Sequence, residues 1–149
     1  MATTRHATAH WSGDLKTGSG SISTPQSGLM ADTAYGFNTR FGEGNPDAKR
    51  GTNPEELIAA AHASCFTMAL SHALAQAGHA PDAVDTRAEV DLSMDGGPTI
   101  SAIRLETKAK VPGIDEAGFR AIADDAKQNC PVSKALSAVP ITLKAELLG

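Results

Sequence analysis

TNPEELIAAAHASCFTMALS, residues 52–71, carries the marks of one long helix. Thr52 or Asn53 can cap it, Pro54 suits the first helical position, and Glu55 and Glu56 complement the positive end of the helix dipole. Gly78 and Pro81 supply the stop. The span between these signals is roughly 24 residues, or about 36 Å of helix, well above the average of about 11–12 residues. Alanines at 59, 60, 61, 63, 69, 73, 75 and 77 leave it little side-chain bulk, so other backbones can approach closely and a buried, central position is expected. One of only two cysteines, Cys65, lies about three turns in.

Outward from this helix, the preceding sequence predicts strands. Residues 5–11 alternate weakly and end in Trp11, and 18–24 (GSGSIST) form a second polar run after a turn at Ser12–Thr17, which gives two edge strands. Tyr35, Phe37, Thr39 and Phe41 fall on alternate positions, predicting a further strand with Asn38 and Arg40 on its opposite face. Gly42–Thr52, dense in turn formers and charge, predicts a mobile loop. Beyond the helix, Val84 to Leu92 and Ile103 to Val111 each alternate with period two around MDGGP at 94–98, an antiparallel hairpin with Arg87, Glu89 and Asp91 facing out. Asp115 caps a second helix whose apolar stripe, Phe119, Ile122, Ala123 and Ala126, runs on to Cys130. Pro131 breaks it there and opens a short helix at 131–138. Ile141, Leu143, Ala145 and Leu147 alternate as a closing strand. The order β-β-β-α-β-β-α-β predicts an α+β fold with mainly antiparallel sheet, in a single domain spanning 1–149.

Composition removes several function classes. A net charge of −4 argues against a general phosphate-backbone binder, so nucleic acid is not an expected partner. The N-terminal MATTRHATAHWSGDL has no secretory apolar run, and no stretch of 18 apolar residues occurs, which predicts a cytoplasmic protein with no membrane partner. Aromatics make up only 4% of the residues, so small and aliphatic side chains must fill the core, with help expected from a second subunit. In a reducing compartment, two cysteines more often serve redox, catalytic or metal chemistry than structural bridging.

Two readings of Cys65 and Cys130 follow from residue type alone: small apolar residues on buried helix faces, or a redox pair. If Cys65 reacts, it must do so as thiolate, and a free cysteine with a pKa near 8.5 is only about 3% ionised at pH 7. Full ionisation therefore gains no more than roughly 30-fold, about 2 kcal/mol, and larger effects require stabilisation of the leaving group. A mid-helix sulfur takes little help from the dipole, so a nearby cation is needed. Arginine fits, because its fork can hold a thiolate and donate to an oxygen while a carboxylate orients it. Arg40 and Glu55 are the candidates, against the plainer roles of a solvated strand arginine and a helix-start carboxylate. His62, three residues before Cys65, suggests a Cys–His nucleophile or part of a zinc site. With no CxxC, no close third ligand and His72 two turns away, a packed histidine fits better.

The chain resembles the osmotically inducible protein C family (OsmC/Ohr), thiol-dependent peroxidases for organic hydroperoxides. The resemblance runs through HWSGDLKTGSG at 10–20, YGFNTRF at 35–41, GTNPEELIAAAHASCFTMALS at 51–71, VPGID at 111–115 and NCPVSKAL at 129–136, and the FNTRF and HASCF segments favour the OsmC branch. It implies an intertwined α+β homodimer with two central helices flanked by sheets. It also implies Cys65 as the peroxidatic thiol, Cys130 as the resolving thiol, Glu55 as the carboxylate that holds the active-site arginine, and Arg40 as that arginine. The implied substrate is an organic hydroperoxide and the implied reductant a dithiol such as a lipoyl group, with no metal, haem or flavin cofactor. Phe37, Phe41 and Phe66 are expected to line an alkyl-preferring pocket. The rival reading is a ligand-binding or stress protein of the same fold whose cysteines are structural.

Overall fold

The computed structural model of the chain describes residues 1–42 and 51–149, which fall into two compact units, Met1–Pro54 and Glu55–Gly149. Most of the loop expected at Gly42–Thr52 lies outside the described residues.

In the first unit, β1 (Thr8–Ser12), β2 (Ser19–Ser23) and β3 (Thr33–Tyr35) form an antiparallel sheet in that order. β2 is therefore central, not an edge strand, because β3 pairs along its second side. Trp11 and Tyr35 flank Gly20 in register, with ring centroids 5.5 Å apart. A side chain at position 20 would collide with both rings, which is why glycine stands there.

The strand expected through Phe41 stops at Tyr35, and Phe37–Phe41 is a short helix, α1. Phe37 and Phe41 alternate as strand residues do, but they are also one helical turn apart, and the rings meet at 4.7 Å between centroids. Local hydrogen bonds decide between the two. The Gly36 N–H donates to Thr39 Oγ1 at 2.9 Å, the Arg40 N–H reaches the Gly36 carbonyl at 3.2 Å, and Gly42 closes the turn at φ 70°, a left-handed conformation that favours glycine. Thr39 Oγ1 also donates to the Thr52 carbonyl at 2.8 Å, and Asn53 Nδ2 donates to the Thr39 carbonyl at 2.9 Å, so α1 holds the residues that lead into the long helix.

That helix, α2 (Pro54–Gln76), has the length its caps imply. Its buried line, His62, Phe66, Leu70 and Leu74, repeats every four residues. Phe66, Leu70 and Leu74 join Leu105, Ala109, Phe119 and Ala123 in one core cluster. The opposite side, with Ala61, Ser64, Met68 and His72, is exposed in the single chain, and Met68 is 73% exposed. Over an 18-residue window its mean hydropathy is 1.4, enough by length and composition to cross a bilayer, but its packed line is that of a core helix.

β4 (Ala83–Ser93), β5 (Thr99–Lys110) and β6 (Ile141–Leu148) make the second sheet, with β5 in the centre. β5 buries Ile103, Leu105, Thr107 and Ala109 and exposes the residues between them. On the exposed face Arg104 bonds Glu89 at 2.9 Å and Asp91, and Arg87 bonds Glu89 at 2.7 Å. β4 is antiparallel to β5 and β6 parallel, so α3 (Glu116–Asn129) and α4 (Pro131–Ala135) form a crossover. Asp115 caps α3 by accepting the Gly118 N–H at 2.7 Å. Cys130 ends one helix and begins the other: its N–H donates to Ala126 and its carbonyl accepts from Lys134. The short helix stops at Ala135 rather than 138.

Candidate active site

Cys65 on α2 and Cys130 at the α3–α4 junction, 65 residues apart in sequence, meet with their sulfurs 3.1 Å apart. Both are free thiols; Cys65 is half-buried and Cys130 completely buried. A disulfide needs about 2.05 Å, so closing the bond takes about 1 Å of approach. The orientation of α2 that allows this is fixed by hydroxyls two residues further on. Thr67 Oγ1 donates to Thr86 Oγ1 at 2.7 Å, Thr86 and Thr107 share a bond of 3.0 Å, and the latter hydroxyl also donates to the Asp85 carbonyl at 3.2 Å. This ladder ties the helix to β4 and β5 across an otherwise apolar contact.

The environments of the two thiols differ. Burial pushes the Cys65 thiol up, its contact with Cys130 adds to that, and the Val132 N–H pulls weakly the other way. Burial works on Cys130 in the same sense, but the Ser133 N–H, the Cys65 thiol, the Ser133 hydroxyl and the Val132 N–H together outweigh it and hold Cys130 below its ordinary value. Between the pair, these contacts favour ionisation of Cys130 over Cys65. These contacts work against the Cys65 thiolate rather than for it.

His62, one turn before Cys65, is completely buried, and its Nε2 lies 2.7 Å from Ser133 Oγ. Its Nδ1 has no partner among the described residues. Burial lowers its pKa and so disfavours the charged ring. Ser133 is a residue that sequence reasoning missed, although it stands in the NCPVSKAL segment three positions after Cys130. Its partner is 71 residues away, and no local pattern connects them.

Glu55 sits in the first turn of α2 and is only 8% exposed. It precedes Cys65 by ten residues, about 15 Å along the helix. Arg40 belongs to α1 of the first unit, exposed, with its guanidinium carbon 5.5 Å from the centroid of the Phe41 ring. Its neighbours Phe37 and Phe41 are half-buried in the same short helix. Phe66, expected to line a pocket, is instead completely buried in the core, since it projects along the α2 line that faces the sheet. Among the described residues, no three His, Cys, Asp or Glu side chains converge as a metal site. A groove along α3, α4 and β6, bounded by Lys127, Lys134 and Ile141, reaches Ser133 but neither sulfur.

The model of the family described as "OsmC-like protein" matches residues 44–144. Among curated proteins, the chain is 50% identical over 140 residues to Peroxiredoxin OsmC of Escherichia coli, covering 93% of each chain. It is 37% identical over 89 residues to an organic hydroperoxide resistance protein of Xanthomonas axonopodis, covering 57% of this chain and 59% of that protein. Among solved structures, an OsmC-like protein from Mycoplasma pneumoniae superposes with a TM-score of 0.73 over the whole of both chains at 15% identity, a likeness of fold.

Proposed function

The chain belongs to the OsmC-like protein family, and on that premise we propose that it is a thiol peroxidase of stress defence, reducing organic hydroperoxides to alcohols and hydrogen peroxide less well. The observation that supports this best is the approach of the Cys65 and Cys130 sulfurs to 3.1 Å. The Cys65 thiolate attacks the terminal peroxide oxygen; the O–O bond breaks, the alkoxide leaves and takes up a proton as alcohol, and Cys65 becomes a sulfenic acid. Cys130 thiolate then forms the S–S bond while the S–O bond breaks, and hydroxide departs to become water. A dithiol reductant, a lipoyl group by family resemblance, returns both thiols, and no metal or cofactor takes part.

Because burial and Cys130 hold the Cys65 thiol up, its activation calls for a cation. We assign that role to Arg40 and its orientation to Glu55, whose buried position demands a polar partner. The whole of 1–149 acts as one OsmC-like domain in a homodimer, for which the exposed, small-residue side of α2 is a suitable contact. Two free thiols fit the reducing cytoplasm.

Mass spectrometry after stoichiometric tert-butyl hydroperoxide tests this reading. Wild type should yield a Cys65–Cys130 disulfide, Cys130→Ser one round of oxidation ending at Cys65 sulfenic acid, and Cys65→Ser no turnover. Arg40→Ala should slow the first step by at least about tenfold. Two free thiols in the treated wild type would overturn the proposal.

A further inference from the structure

The peroxidase cycle leaves one buried polar contact without a task, the 2.7 Å bond between His62 Nε2 and Ser133 Oγ. Neither group is needed to hold the fold by charge: burial disfavours the charged ring, and both side chains are buried, where a polar pair costs more than it returns unless every proton is used. Ser133 stands three residues after Cys130, which begins α4, and its hydroxyl is among the groups that favour the ionised form of that sulfur. A serine hydroxyl has one proton to give. If Ser133 spends it on His62, Cys130 loses a donor. If His62 carries its proton on Nε2 and donates to Ser133 Oγ, the hydroxyl proton is free for the sulfur, and the unpartnered Nδ1 is a bare lone pair.

We infer that His62 is a positioning residue for the resolving step: its Nε2–H fixes Ser133 Oγ so that the hydroxyl proton points at Cys130 Sγ and holds that sulfur ready to attack oxidised Cys65. The inference rests on the peroxidase reading for the step it serves. The hydrogen-bond pattern agrees with the direction in which Ser133 moves the Cys130 thiol. The other groups near Cys130 leave this assignment undisturbed. Cys65 is the titratable partner from α2, Lys127 on α3 donates to the Ile141 carbonyl, Lys134 on α4 is exposed, and the buried face of β5 offers Leu105, Thr107 and Ala109, which do not titrate.

Three measurements decide it. Ultraviolet thiolate absorbance in a Cys65→Ser background gives the titration of Cys130. Ser133→Ala and His62→Leu should each raise its midpoint by about one pH unit, the effect of losing one hydrogen bond to a charged group, while Ser133→Thr and His62→Gln, which keep the donors, should stay near the parent. In the two-cysteine protein, the same Ala and Leu substitutions should slow disulfide formation relative to sulfenic acid formation by about tenfold at neutral pH, with the donor-retaining variants restoring the ratio. Nitrogen NMR of the unsubstituted protein should find His62 protonated on Nε2, a test that does not depend on any variant folding. A proton on Nδ1, or equal midpoints for Leu and Gln at position 62, would overturn the inference. Failure of the unsubstituted protein to be oxidised by alkyl hydroperoxide would instead remove the peroxidase reading, and the resolving role with it, whatever the titrations show.

Discussion

The two sulfurs share the Val132 N–H and differ in the rest of their contacts. Cys130 receives N–H and O–H donors from the residues that follow it, whereas Cys65, on an uninterrupted helix, has its own turn's N–H groups already committed. The same burial that makes His62 a neutral donor has a cost in acid. Its pKa in the folded chain lies below 6.5, so the unfolded chain takes up a proton that the folded one resists, and stability must fall as pH drops below about 6.5. Urea midpoints followed from neutral pH to about pH 5 should show a steeper loss for the unsubstituted protein than for His62→Gln, by up to about 1.4 kcal/mol per pH unit. The cysteines themselves were legible in the sequence, because one sits on a capped helix and the other before a helix-breaking proline. Ser133 was not, since its task comes from a side chain on another element rather than from its neighbours in sequence.

The elements divide by how local their causes are. α2, the β4–β5 hairpin and α3 were legible from caps, periodicity and turn residues, each of which acts within a few positions. The Asp115 cap of α3 illustrates this, and Asp115→Ala should lower stability by about 1 kcal/mol, read as a shift in the urea midpoint at unchanged slope. Alternation through Phe37–Phe41 predicts a strand because a spacing of four satisfies both period two and one helical turn. The Thr39 hydroxyl broke the tie by bonding to Gly36 and Thr52. For β6, alternation announced a strand but not its partner or direction, and the parallel pairing follows only once α3 and α4 are placed as a crossover.

For the molecule as a whole, the low aromatic content and the alanine-rich helix belong together. α2 covers its inner line with the sheet and α3, and leaves Met68 and the small residues around it outside. In the proposed homodimer this side is covered by the second copy. Met68→Glu should then shift light-scattering mass from twice the 15.3 kDa of the chain towards one copy, and a mass unchanged by the substitution would place the subunit contact elsewhere. The order of the two cysteines along the chain also sets when a newly made chain acquires the proposed chemistry. Cys65 leaves the ribosome 65 residues ahead of Cys130, and at about 5–20 residues per second it waits roughly 3–13 s for its counterpart. β6, the strand that pins the crossover, is made later still. A nascent chain caught by oxidant in that interval holds a lone sulfur with no neighbour to rescue it from over-oxidation, so the proportion of damaged protein should rise with anything that slows translation between the two cysteines.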